Sequence, residues 1–182
     1  MDSANNSARL NITSSVNAGA LLISVTSLIS LGLISGFFYT YLCSVIFGLN
    51  AITPLAAIEA MQGINNTIRN PYFAVIFFGT ALLLPIAALT QWLAQNKRAT
   101  IWLFVAAFIY VAGAIVPTFT INVPMNDALG FLQLSDITSP QETWTNYSDR
   151  WYIWNAVRTV FSTLALAIGL MAVTSTSHVS KK

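Results

Sequence analysis

Charge is what this chain has least of. Asp, Glu, Lys and Arg make up 8% of its 182 residues, against roughly 25% in soluble globular domains. Hydrophobic residues make up 55%. A surface so poor in charge is suited to hydrocarbon, so the chain reads as an integral membrane protein. Metal ligands are equally scarce, with one histidine, His178, and one cysteine, Cys43. A lone thiol forms no intramolecular disulfide, and no Cys or His pair stands at zinc or haem ligand spacing, so no metal site is expected. His178 lies near the far end of the chain from the polar face described below, which excludes a Ser-His-Asp set. There is no glycine-rich nucleotide loop. The formal net charge is +2 and no basic cluster is present, so nucleic acid is not an expected partner. The length suits one compact bundle without a second domain.

What the sequence does have is long apolar runs. Residues 1–17 are polar and lack the basic start of a secretory signal. They are expected to form an N-terminal tail, and residues 176–182 a C-terminal one. Between them, residues 18–49 form a run longer than the roughly 20 apolar residues that cross a bilayer. Residues 70–96 and 99–126 are two more runs, and 159–180 is the last. Pro85 is expected to bend the second, and Lys97-Arg98 to be the tight turn after it. The fold class is therefore all-α: a four-transmembrane-helix bundle over residues 18–175, embedded in the lipid bilayer.

Two polar segments interrupt the runs. Residues 59–69 place Glu59, Gln62, Asn66 and Arg69 within an arc of roughly 80° on a helix, with Ile58, Met61 and Ile68 toward the other side. This amphipathic helix is expected to begin with Thr53 as N-cap and Pro54 at its first position. Asn70-Pro71 ends it, because the residue before proline is pushed out of the α region. Residues 127–158 form the longest polar segment, crowded with Trp144, Tyr147, Trp151, Tyr152 and Trp154. The two segments are expected to pack together as a cap over one end of the bundle. Arg9, Lys97, Arg98, Lys181 and Lys182 fall at the other end. The positive-inside rule then puts both termini in the cytoplasm and the cap outside, in the plasma membrane.

Three polar groups converge on the cap end: the 59–69 helix, the stretch TFTINVPMN at 118–126, and Trp151, Asn155, Arg158 and Ser162, which share an arc of about 60°. An Arg near a helix end either snorkels to the headgroups or turns inward to polar partners. Buried amides need partners too. Asn65, Asn122, Asn126, Asn155, Gln62 and Arg158 are thus expected to line one pocket, walled by Tyr39, Trp151 and Trp154.

The pieces AMQGIN (60–65), Asn70-Pro71, NVPMN (122–126) and W-x-x-x-N-x-x-R (151–158) lie in this order between the four apolar runs. Together they resemble the anthrone-oxygenase-like family of small membrane proteins, over roughly residues 20–175. The resemblance implies a four-helix membrane protein. It also implies oxidation of an anthrone or a similar hydrophobic aromatic or quinol-like molecule, without a cofactor. On that chemistry a base and an anion-holding group are needed. Glu59 and Arg158 are the catalytic candidates, with Asp127 as a second candidate base. Tyr39, Gln62, Asn65, Arg69, Asn122, Asn126, Trp151, Trp154 and Asn155 are the substrate-binding candidates. The other reading is a non-catalytic membrane protein that binds a lipid or a partner protein through its cap. Oligomeric state is not legible from the sequence.

Overall fold

A computed structural model describes residues 2–176, with side-chain surroundings for residues 15–175. His178, Lys181 and Lys182 lie outside the described residues, as does the side chain of Arg9. All regular structure among the described residues is helical. The first helix is α1 (Asp2–Thr40), which runs on through a π turn (Tyr41–Val45) into α2 (Ile46–Asn50). The short α3 (Pro54–Thr67) follows, then α4 (Pro71–Leu93) and α5 (Lys97–Tyr110). Two π turns, Val111–Ile115 and Thr118–Asn122, carry the chain from α5 into α6 (Val123–Gly130). After a 3-10 turn at Leu134–Asp136 comes α7 (Pro140–Thr176). Four stretches are long and apolar enough to cross a membrane: Ser15–Asn50, Pro71–Leu93, Lys97–Gly130 and Pro140–Ser175.

These four form a ring in which α1 packs on α4 and α7, and α5 packs on the same two. Small residues permit the close approach. Ala87, Ala88, Ala99, Ala106, Ala107 and Ala165 are buried among Leu31, Leu84 and Leu103. Gly113 lies where a Cβ would collide with Cβ and Cγ of Phe161, so only glycine lets the third helix meet α7 there. Side-chain hydrogen bonds pin neighbours together: Gln91 Nε2 donates to Ser24 Oγ at 3.0 Å, and the Ser30 and Thr80 hydroxyls meet at 2.6 Å. Ser35 and Thr163 do the same at 2.8 Å. The Tyr110 hydroxyl donates to the Phe77 carbonyl at 2.9 Å.

Local sequence explains the joints. Thr53 is the N-cap of α3 with Pro54 following, although its side chain makes no capping bond. Asn70 caps α4, its side chain accepting from the Phe73 amide at 3.0 Å. Pro117 brings no N–H, and its ring presses on the carbonyl four residues back. The helix widens into π turns on both sides of it.

Several expectations are corrected. Helix α1 begins at Asp2, within the polar segment 1–17. The tight turn is residues 94–96 rather than Lys97-Arg98: Gln95 takes a left-handed φ of 61°, and Asn96 caps α5 by accepting from the Ala99 amide. Pro85 lies within helix α4, which continues to Leu93. The last helix starts at Pro140 rather than Thr159. Trp144, Tyr147 and Trp151 bury one side of its first turns against Ile58 and Met61 of α3. Helix α3 lies against α6 and α7, closing one end of the bundle as a cap.

Candidate functional site

Under the cap lies a cavity of about 600 Å³, within the range of small-molecule sites. Its walls are mainly aromatic and aliphatic. Phe37 and Tyr41 come from the first helix and Phe73, Phe77 and Phe78 from α4. Ile64 and Ile68 descend from the cap, while Phe119 and Val123 come from the third helix. Phe73 and Phe77 stand one turn apart on α4 and stack at 5.2 Å between centroids.

Against this apolar wall stand a few polar groups. Arg158 is on α7, about halfway along it, and is 6% exposed. It does not reach toward the headgroups. Nη1 donates to Thr118 Oγ1 at 3.2 Å, and Nη2 to Asn155 Oδ1 at 3.0 Å. Its Nε has no partner. The guanidinium lies 4.6 Å from the Phe38 ring centroid and 5.2 Å from that of Trp151. Ring faces attract a cation, most strongly where water is excluded. The ion pair among the described residues is Arg69 with Asp127, so Arg158 faces no carboxylate. Its positive charge is held by rings and neutral oxygens, and an anion in the cavity would complete it.

Asn122 lines the same cavity at 1% exposure. Neither its Oδ1 nor its Nδ2 has a partner. Leaving a buried amide unpaired costs on the order of 1–3 kcal/mol. The π turn Thr118–Asn122 positions both Thr118 and Asn122, and such turns concentrate at functional sites. Around the upper rim the polar groups are paired. Asn65 Nδ2 donates to the Tyr147 hydroxyl at 3.2 Å, which donates to Asn126 Oδ1 at 2.8 Å. Trp151 Nε1 donates to the same oxygen at 2.9 Å.

Of the residues singled out in the sequence, Asn65, Arg69, Asn122, Asn126, Trp151 and Arg158 line this cavity. Five do not. Glu59 is exposed, because it sits on the side of α3 turned away from buried Ile58 and Met61. It lines a second, more polar depression above, of about 620 Å³, with Gln62, Arg69, Asp127 and Asn126. Glu59 is therefore not placed to act as a base on a molecule beside Arg158. Nor is Asp127, which pairs with Arg69 at the rim. Gln62 bonds the carbonyls of Leu129 and Leu132 at 2.8 and 3.0 Å, tying α3 to the end of α6. Tyr39 is exposed on the outer face of α1, and Trp154 is half-buried away from the cavity. Asn155 stands behind the wall: it donates to the Phe38 carbonyl at 2.9 Å and accepts from Arg158, so it positions the guanidinium.

The lining residues missed in the sequence include Phe37, Tyr41, Phe73, Phe77, Phe78 and Phe119. Phenylalanine at helical spacing (Phe73, Phe77) is the signal available for them, but it reads equally as lipid-facing surface.

No curated protein and no solved structure matches the chain. A family model described as anthrone oxygenase matches residues 72–168, just over half of the chain, and these residues include Phe77, Asn122, Trp151 and Arg158 of the cavity. The chain belongs to the anthrone oxygenase family.

Proposed function

We propose that the cavity binds a planar, hydrophobic phenol or ketone of the anthrone class and promotes its oxidation by dioxygen. The observation that carries this reading is the pairing of Arg158 Nε and the Asn122 amide, buried and unpartnered, with an aromatic wall. A flat ring system suits the wall. An oxygen carrying negative charge suits the two polar groups.

The chemistry needs no electron donor beyond the substrate. An anthrone CH2 gives one proton to a water molecule, which carries it out past the polar rim, and leaves an anion delocalised onto its oxygen. Arg158 and Asn122 stabilise that oxyanion in a site shielded from water, and so lower the cost of forming it. The anion reduces dioxygen, a C–O bond forms, and protonation gives a hydroperoxide. Loss of the second C–H proton with cleavage of the O–O bond leaves the carbonyl and water. In sum, CH2 and O2 become C=O and H2O. No carboxylate or histidine lines the cavity. Acidity therefore rests on the substrate and on the field of Arg158 rather than on a base beside it. The cap, by the distribution of Lys and Arg, faces away from the cytoplasm.

The test uses protein in lipid nanodiscs with 1,8-dihydroxyanthrone, following quinone absorbance and oxygen uptake against empty nanodiscs. The parent should accelerate oxidation, and Arg158→Lys should lose at least tenfold, because lysine keeps the charge without the planar fork. Oxidation no faster than in empty nanodiscs, together with no detectable binding, would overturn the reading.

A further inference from the structure

The wall of the cavity reaches the outer surface of the bundle at one side. Phe78 and Phe119 both line it, yet they are 46% and 50% exposed on the outer surface of two membrane-spanning helices. Their rings stack across the gap, with centroids 6.0 Å apart and planes at 27°. The helices beneath and above this point behave differently. Helices α4 and α5 pack closely along their length. Beyond Tyr110 the third helix turns to α7, and through α6 to α3, with little approach to α4. The two π turns that flank Pro117 lie where that divergence begins. Phe78 lies roughly 10 Å along the axis from the start of α4 at Pro71. With α4 spanning a bilayer from Pro71, that depth puts the gap against hydrocarbon rather than headgroups.

The upper rim is closed by different chemistry. Arg69 and Asp127 form an ion pair there, and Asn65, Tyr147 and Asn126 a hydrogen-bonded chain. A flat apolar molecule entering from water would have to part these polar groups. Entering from the side, it needs only to rotate two phenylalanine rings. Such rotamer changes in exposed side chains take ps–ns.

We infer that the cavity is loaded from the bilayer, through a lateral portal between α4 and the Thr118–Asn122 turn, with the Phe78–Phe119 stack as its gate. The molecule that enters is a planar aromatic already dissolved in hydrocarbon. It passes directly from the gate to Asn122, three residues beyond Phe119, and to Arg158 behind it. This inference rests on the binding reading proposed above and adds the phase from which the ligand comes.

The experiment bridges the gate reversibly. Phe78→Cys and Phe119→Cys are combined in a Cys43→Ser background and linked by a short bifunctional thiosulfonate. Stopped-flow mixing of the reconstituted protein with 1,8-dihydroxyanthrone-loaded vesicles reads association, and a chase with empty vesicles reads dissociation. Bridging should slow both by at least tenfold and in similar proportion, and reductant should restore them. A gate acts on entry and exit alike, whereas a lost wall contact would speed exit. A separate Phe78→Ala, Phe119→Ala variant should load faster than the parent. If the parent binds and bridging leaves both rates unchanged, the portal is overturned while the binding reading stands. If the parent binds no dihydroxyanthrone, the binding reading falls and the portal falls with it.

Discussion

The two ends of the bundle handle buried polar groups in opposite ways. At the end away from the cap, the buried hydroxyls and amides are paired, several of them with a side chain on the next helix. Ser24 has Gln91, Ser30 has Thr80 and Ser35 has Thr163. Alanines fill the space between. At the cap end the third helix departs from α4, a cavity of about 600 Å³ remains, and Arg158 and Asn122, which line it, keep buried atoms without partners. Polar groups that are paired hold helices together; on the reading proposed above, the unpaired ones at the cavity serve a bound molecule.

That contrast can be broken from either end. The largest effect is expected from Arg158→Met, which keeps length and removes charge. Binding of 1,8-dihydroxyanthrone, measured by titration in nanodiscs, should weaken at least a hundredfold, or about 2.8 kcal/mol. Unfolding in mixed micelles should shift by no more than about 1 kcal/mol, because relief of a buried charge offsets the lost Asn155 contact. A variant that binds like the parent would remove Arg158 from the site.

Next in size is Gly113→Ala, which adds a Cβ against Phe161. Overpacking of this kind costs about 2 kcal/mol, and it should appear as a lower unfolding midpoint. The contact is with Phe161 Cβ and Cγ, which cannot swing aside as a chain end can. At Gly169 the clash is with Leu28 Cδ2, the tip of a flexible side chain, so Gly169→Ala should cost less. Equal losses at the two positions would mean that the helices shift freely.

Asn122→Leu sharpens the comparison most directly. The side chains are similar in size, but the amide is lost. Affinity should fall about tenfold, or about 1.4 kcal/mol, while stability stays level or rises, since an unpartnered polar group has been removed. A marked loss of stability would show that Asn122 is a structural pin after all. The smallest effect belongs to Ser30→Ala, whose hydroxyl pairs with Thr80. Such contacts between membrane helices average about 0.6 kcal/mol. Stability should drop by that order, and binding should not change.

The asymmetry was partly legible before the structure. Apolar length and the shortage of charge are properties of segments, and hydrocarbon accepts only helices whose backbone groups are satisfied within the segment. Four spanning helices therefore follow from the chain alone, as does the cap helix with Pro54 at its start. The order of motifs that ends at Arg158 pointed to the family. Arg69, Asn65, Asn122, Asn126, Trp151 and Arg158 were readable as polar residues gathered at one end.

Partnership was not legible. Asn155 and Asn122 look alike in sequence, each an amide at the edge of an apolar run. Only packing gives Asn155 the Phe38 carbonyl and the Arg158 guanidinium while leaving the Asn122 amide buried in the cavity wall without a partner. Glu59 looked like a base because helical period fixes which residues share a face, not which face meets a neighbour. The burial of Ile58 and Met61 against α7 turned Glu59 outward. Phe78 and Phe119, forty-one positions apart, read as ordinary lipid-facing residues until the third helix leaves α4 and sets one ring on the other. The sequence by itself determined that the chain is helical, membrane-spanning and polar at one end, because those properties depend on local composition and period. Tertiary structure decided where the cavity opens and which polar atoms face it, because those depend on distances between helices that no single segment encodes.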